Sequence, residues 1–190
     1  MPLCNEQQYK MFGTIGILQY GWVLAEQGQH EQSIQQIRQG LTALRAIGQK
    51  VTLSFFVTLL AGVYETVGHA EKGLTMLADA IEHVNQTGER WYEAEVYRVQ
   101  GQLLLQQSPD NAVDAETCFH QAISIAQNQS AKSWELRAST SLARLWQSQR
   151  KRDEARELLG GVYGWFTEGF DTADLIDAKA LLVELEEGQP

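Results

Sequence analysis

The sequence predicts an all-α protein assembled from repeated helix pairs. Three observations lead there. The prolines are confined to Pro2, Pro109 and Pro190, so almost the whole interior lacks the residue that most strongly interrupts a helix. The small residues Gly21, Ala61, Gly101 and Ala143 recur at intervals of 40, 40 and 42. Around each of them runs one order of residues: a helix with the small residue at its centre, an aromatic or Leu three positions on, a polar turn, then a second helix with small-large-small spacing. Two helices cross closely only where one presents Gly or Ala and the other inserts a large apolar side chain, so the recurrence reads as a packing rule.

The first unit, ILQYGWVLAEQGQHEQSIQQIRQGL, carries Gly21, Leu24, Gly28, Ser33, Ile37 and Gly40 at those places, and the second carries Ala61, Tyr64, Gly68, Gly73, Leu77 and Ala80. The third, with Gly101, Leu104, Ala115, Phe119 and Ala122, has a turn two residues longer, which accounts for the interval of 42; the fourth carries Ala143, Trp146, Ala155, Leu159 and Val162. This is the order of a tetratricopeptide-like unit, with a period longer than the usual one of about 34 residues. The expected fold is therefore a tetratricopeptide-like α-α superhelix of about four helix pairs plus a C-terminal capping helix. It reads as a single domain over 1–190, with repeats near 5–47, 51–86, 89–128 and 131–162 and a bridge and cap over 163–186.

Individual helices are expected near 5–27, 31–47, 51–67, 70–86, 89–107, 110–128, 131–149, 151–162 and 172–186. Gly28, Gly48, Gly68 and Gly88 each follow an apolar-periodic segment and can close it in the left-handed conformation. Ser108 before Pro109 reads as an N-cap with proline in the first helical position. The glycines and aromatics of GGVYGWFTEGF, with Tyr163, Trp165, Phe166 and Phe170, form a non-helical bridge, and Asp171 or Thr172 caps the last helix, whose Leu175, Ala178, Leu181 and Leu182 cover the end of the array. At the other end Tyr9, Phe12, Ile15 and Leu18 have no preceding polar helix over them. Either the chain is a fragment of a longer one, or this N-terminal face pairs, as in a homodimer.

Composition narrows the function. With 24 acidic and 15 basic residues the net charge is -9, contrary to the basic surface of a nucleic-acid binder. Cys4 and Cys118 stand apart, which fits a reduced, cytoplasmic setting, and no apolar run is long enough to span a membrane. His30, His69, His83 and His120 fall in no ligand spacing, and His30 and His69 read as turn residues. Asp171, Asp174 and Asp177 read as a solvated helix face rather than a calcium loop. No phosphate-binding loop, nucleophile elbow or metal site is present, so no cofactor and no catalytic residue is expected.

Three segments carry a likeness that helix packing does not demand. GERWYEAEVYRVQGQLLL (88–105), AETCFHQAISIAQNQSAKSWELRASTSLARLWQSQRKRDEARELL (115–159) and YGWFTEGFDTADLIDAKALL (163–182) resemble the C-terminal tetratricopeptide region of large bacterial proteins. Those proteins join a class III adenylate/guanylate cyclase or a transcriptional-regulator domain to a signal-transduction ATPase. The resemblance implies a helical sensor or scaffold segment of a bacterial signalling protein, without the cyclase or ATPase activity, whose domains are not in this sequence.

The candidate site is a groove. In tetratricopeptide arrays the first helix of each pair lines the concave surface. Positions around the central small residue then point Trp22 and Glu26 of the first unit toward it, followed by Arg98, Gln102, Arg137, Arg144 and Gln147 of the third and fourth. Trp22 would be an apolar anchor, and the three arginines could grip a carboxylate or an acidic peptide. The competing reading pairs those arginines with Glu93, Glu95, Glu135 and other neighbours, and Trp91, Trp134, Trp146 and Trp165 are expected to be mostly core or inter-repeat packing. The function expected is a non-catalytic protein–protein interaction module; the alternatives are a small-molecule or peptide sensor with an enclosed pocket, and a self-assembly module.

Overall fold

The computed structural model describes the backbone of residues 2–187 and the side chains from Lys10 to Glu187. Among these the chain is helix and turn with no strand. Its elements are α1 (Pro2–Glu26), α2 (His30–Ala46), α3 (Leu53–Thr66), α4 (Ala70–Thr87), α5 (Glu93–Gln107), a 3-10 turn (Pro109–Asn111), α6 (Ala112–Asn128), α7 (Lys132–Ser148), α8 (Arg152–Tyr163) and α9 (Ala173–Glu187). They form two compact units, one up to Tyr92 and one from Glu93.

Most turns use one backbone device. At Gly28, Gly48, Gly68, Ser130 and Arg150 the chain turns left-handed, with φ of 76°, 72°, 76°, 55° and 66°. The next residue's N–H then reaches back five positions, as in Gln29 to Leu24, Gln49 to Leu44, His69 to Tyr64, Ala131 to Ala126 and Lys151 to Trp146, at 2.8–3.2 Å. This bond and its companion from the left-handed residue satisfy carbonyls that the helix end leaves without partners. Gly88 is left-handed as well, closing α4 through its N–H to Val84.

In the first unit α1 packs on α2, α2 on α3, and α3 on α4. The small-large rule is visible at Gly21, where a Cβ would lie 2.5 Å from Ile37 Cγ1, and at Gly40, where one would lie 2.5 Å from Leu18. In the second unit α5 packs on α6, and the ring of Phe119 sits against Gly101, with Ala115, Ala122, Ala138 and Leu142 around it in the core. α7, α8 and α9 share a second cluster through Leu136, Ala143, Leu159, Leu175, Ala178 and Leu181. α9 thus covers the apolar face that α7 and α8 would otherwise expose.

Several expectations need correction. α5 starts at Glu93, not near 89, because the preceding segment spends its polar groups locally: Glu89 N–H donates to Thr87 Oγ1 and Trp91 Nε1 donates to Glu89 at 2.9 Å. Gly160 and Gly161 lie inside α8, as the helix expected near 151–162 has it and the reading of GGVYGWFTEGF as a bridge does not; α8 runs on to Tyr163, with Val162 buried on its inner face. Ser108 does cap, accepting from Asp110 N–H, yet it opens a 3-10 turn before α6. The Thr172 hydroxyl does not cap α9; it donates to the Gly169 carbonyl at 2.7 Å. His30 is the first residue of α2, while His69 stands in the turn before α4. Trp91 and Trp165 are surface residues, 45% and 59% exposed. Of the N-terminal face, Leu18 is fully buried and Phe12 exposed; Tyr9 lies outside the described side chains.

Candidate functional site

The second unit has a polar pocket of about 210 Å³ whose walls come from three helices. α5 gives Arg98 and Gln102, α7 gives Arg137, Thr140, Ser141 and Arg144, and α9 gives Asp174 and Asp177. Arg98 and Gln102 are one turn apart, as are Arg137 and Ser141, so each helix turns one stripe toward the same space. α5 and α7 lie side by side, which brings Arg98 Nη1 to 3.5 Å from Ser141 Oγ.

Glu95 organises the inner wall. Its side chain is only 3% exposed, and it accepts from Arg98 Nη2 at 2.6 Å and Nε at 2.9 Å, and faces Arg137 Nη2 at 2.7 Å. A carboxylate this deep is stable only when its lone pairs are filled by charged donors, and the two guanidiniums do that. Arg98 also donates to Gln102 Oε1 at 2.5 Å. The outer wall is different. Arg137 Nε is 3.8 Å from Asp174, and Arg144 pairs with Asp177, but these four side chains are between 32% and 50% exposed. Exposed pairs of this kind are worth roughly 0–1 kcal/mol, so they can be exchanged for other carboxylates at little cost.

The predicted residues thus separate. Arg98, Gln102, Arg137 and Arg144 meet in one pocket. Gln147, one turn beyond, lies outside it and donates to Glu184 of α9 at 3.3 Å. Trp22 and Glu26 belong to the first unit, exposed on α1, with Trp22 at 47%. Sequence reasoning named Glu95 as a neighbour of the arginines but missed Asp174 and Asp177, which it took for a solvated face. Part of the signal was there: both acids fall within one turn of a helix whose Leu175, Ala178 and Leu181 had to be buried, but nothing in it showed which helix they would meet. Glu135 serves other partners, Lys132 at 2.6 Å and Gln127 at 3.0 Å.

Short stretches of the three resembling segments place charges and rings in and around this pocket. WYEAE supplies Glu95; AKSWELR supplies Lys132, Glu135 and Arg137, with the Arg137 guanidinium 5.5 Å from the Trp134 ring; YGWFTEGFDTADL supplies Asp174 and Trp165, the latter 5.9 Å from Lys132 Nζ. Their charges and rings hold one another, which gives those residue types a physical reason.

Cys118, on α6, is half-buried, its Sγ 3.6 Å from Gln100 Oε1; burial first, then the charge of Asp114, pushes its thiol from 9.0 up to about 11. It is protonated at neutral pH and a poor nucleophile. Among the described residues no group of His, Cys, Asp and Glu could hold a metal ion, and no helix is long and apolar enough to cross a membrane.

No family model matches the chain, and no curated protein matches it. Solved structures do. The TPR-like repeats of a kinesin-light-chain-like protein from Podosopora anserina superpose with a TM-score of 0.69 at 13% identity, over 90% of this chain and 84% of that one. BtubC from P. vanneervenii gives 0.66 at 14%, over 95% and 90%. A Rap protein complexed with Competence and Sporulation Factor gives 0.71 at 21%, over 95% of this chain and 47% of that one. At these identities the likeness establishes the fold: this chain is an all-α protein of tetratricopeptide-like helix pairs.

Proposed function

We propose that the chain is a non-catalytic interaction module, a regulatory scaffold segment of a cytoplasmic bacterial signalling protein. In this reading it binds a protein or peptide and relays occupancy to an attached output domain. The observation that carries it is the pocket of the second unit: a fixed inner wall in which Glu95 holds Arg98 and one edge of Arg137, beside an outer wall where Arg137 Nε and Arg144 face the half-exposed Asp174 and Asp177. A carboxylate arriving from a partner can replace Asp174 or Asp177 without disturbing Glu95, and Gln102, Thr140 and Ser141 add neutral hydrogen-bonding groups beside it. The Rap protein named above, complexed with its factor, is a precedent on the same fold for ligand binding.

Affinity capture with the chain as bait, comparing the unaltered protein with Arg144→Glu, tests this. Arg144 is half-exposed, so the exchange leaves the core intact. A partner held by the unaltered chain and lost by the variant, then shown to bind when purified, supports the reading; equal recovery from both rejects it.

A second reading rests on α1, where Phe12, Tyr20 and Trp22 are 64%, 56% and 47% exposed: self-association through that helix. Sedimentation across a range of concentrations, with Phe12→Ser for comparison, separates the two. A mass that stays monomeric throughout removes the second.

A further inference from the structure

The first unit holds a pocket of about 460 Å³ on the face of the second helices. Among the described residues no Cα of α2 lies within 8 Å of one of α4, and the gap between them is floored by Tyr64 of α3, with Leu41 and Met76 as apolar walls. Its rim carries Arg38 and Arg45 from α2 and Lys72 from α4, opposed by the single acid Asp79. Six Lys and Arg residues precede Tyr92 (Lys10, Arg38, Arg45, Lys50, Lys72, Arg90), so half of this unit's cations meet at one opening in a protein of net charge -9.

Among the described residues no carboxylate pairs with Arg38, Arg45 or Lys72; Lys72 Nζ has only the Tyr64 ring, 5.9 Å away. The three rim cations differ in this from Arg98, Arg137 and Arg144, each of which faces a carboxylate. The two units therefore offer a comparison within one chain. On α7, Arg137 and Arg144 are seven residues apart, on one helix face, and α9 lies across them with Asp174 and Asp177 one turn apart while its leucines enter the core. On α2, Arg38 and Arg45 are also seven apart, which places them on one face about 10.5 Å along the axis. They flank Leu41 at the pocket, and among the described residues neither is paired with a carboxylate.

We propose that this pocket docks a helix from a partner protein that presents two carboxylates within one turn beside an apolar stripe, as α9 does on α7. The carboxylates would take Arg38 and Arg45, and the apolar residues would cover Leu41 and Met76. The site lies within the first unit and is independent of the pocket assigned above.

The probe is a labelled peptide of Ala173–Glu187, which carries five acids and one lysine, titrated against the full chain by fluorescence anisotropy. Binding should be saturable, weaken with added salt, and fall by about tenfold in Arg38→Gln/Arg45→Gln and, separately, when the peptide carries Asp174→Asn and Asp177→Asn. Arg38 and Arg45 are exposed, so circular dichroism of the double variant should match that of the unaltered chain; Lys72→Gln provides a second, single-site check. The proposal is overturned by absence of binding at millimolar peptide. It is equally overturned by undiminished binding to Arg38→Gln/Arg45→Gln, which would place the peptide elsewhere, or by equal binding of the Asn peptide, which would make the contact apolar adhesion.

Discussion

Replacing Glu95 with Gln removes one charge and changes almost no volume, so it isolates what the carboxylate does. Glu95 faces three guanidinium nitrogens from two arginines within 2.9 Å. A Gln can accept with one oxygen only, and its NH2 must then face at least one N–H of Arg98 or Arg137, a donor against a donor. A hydrogen bond to a charged group contributes about 1.5–3 kcal/mol net, and breaking a buried pair costs about 3–5. Because Arg137 is 32% exposed and can turn to water, we place the loss between these two figures, at about 2–4 kcal/mol. Thermal unfolding followed at 222 nm should show a fall in midpoint of several degrees. Arg156→Gln is the control, since its pair with Asp153 is 41% and 81% exposed and should be worth less than about 0.5 kcal/mol. If Glu95→Gln shifts the midpoint no more than Arg156→Gln does, the buried ion pairs do not stabilise the inner wall and the contrast drawn between the two walls is wrong.

Arg150 adopts φ of 66°, which an L side chain resists, so Arg150→Gly should stabilise the chain by about 0.5–1 kcal/mol; a lower denaturant midpoint would contradict this. Gly101→Ala places a Cβ 2.6 Å from the buried Phe119 ring; overpacking of about 1–3 kcal/mol outweighs a helix-propensity gain of about 1, so a net loss near 1 kcal/mol is expected in urea unfolding. Cys118 should react with iodoacetamide far more slowly than the unfolded chain at pH 8. Because its folded thiol titrates near 11 and the unfolded one near 9.0, the folded state holds its proton longer; the stabilisation from this is full below pH 9 and is lost as pH rises toward 11. A Cys118→Ser variant with the same alkaline stability profile would refute that assignment.

What the sequence made legible is what short-range chemistry dictates. Gly21, Gly40 and Gly101 lie where large side chains enter, and the left-handed closures at Gly28, Gly48, Gly68 and Gly88 stand where the glycines pointed. The equivalent closures at Ser130 and Arg150 were invisible, because nothing in a serine or arginine advertises positive φ. Helix register likewise pointed Arg98 and Gln102 of α5 and Arg137 and Arg144 of α7 toward one groove, and they line one pocket, but it could not show that α9 lies across α7, which is a long-range packing outcome. For the same reason the exposure of Trp165 was misjudged: its ring lies over Lys132 rather than in the core.

The way α9 is fastened has a practical consequence for anyone shortening this protein. Its leucines and its acids act on the same neighbour, so a version ending at Tyr163 would not simply lack a terminal helix. It would lay bare Leu136, Ala143 and Leu159 and, in the same stroke, strip Asp174 and Asp177 from Arg137 and Arg144. A sticky surface with fresh positive charge would capture acidic proteins indiscriminately. Binding assays made on such a truncation would report hits that the full chain, with its own acids in place, does not make.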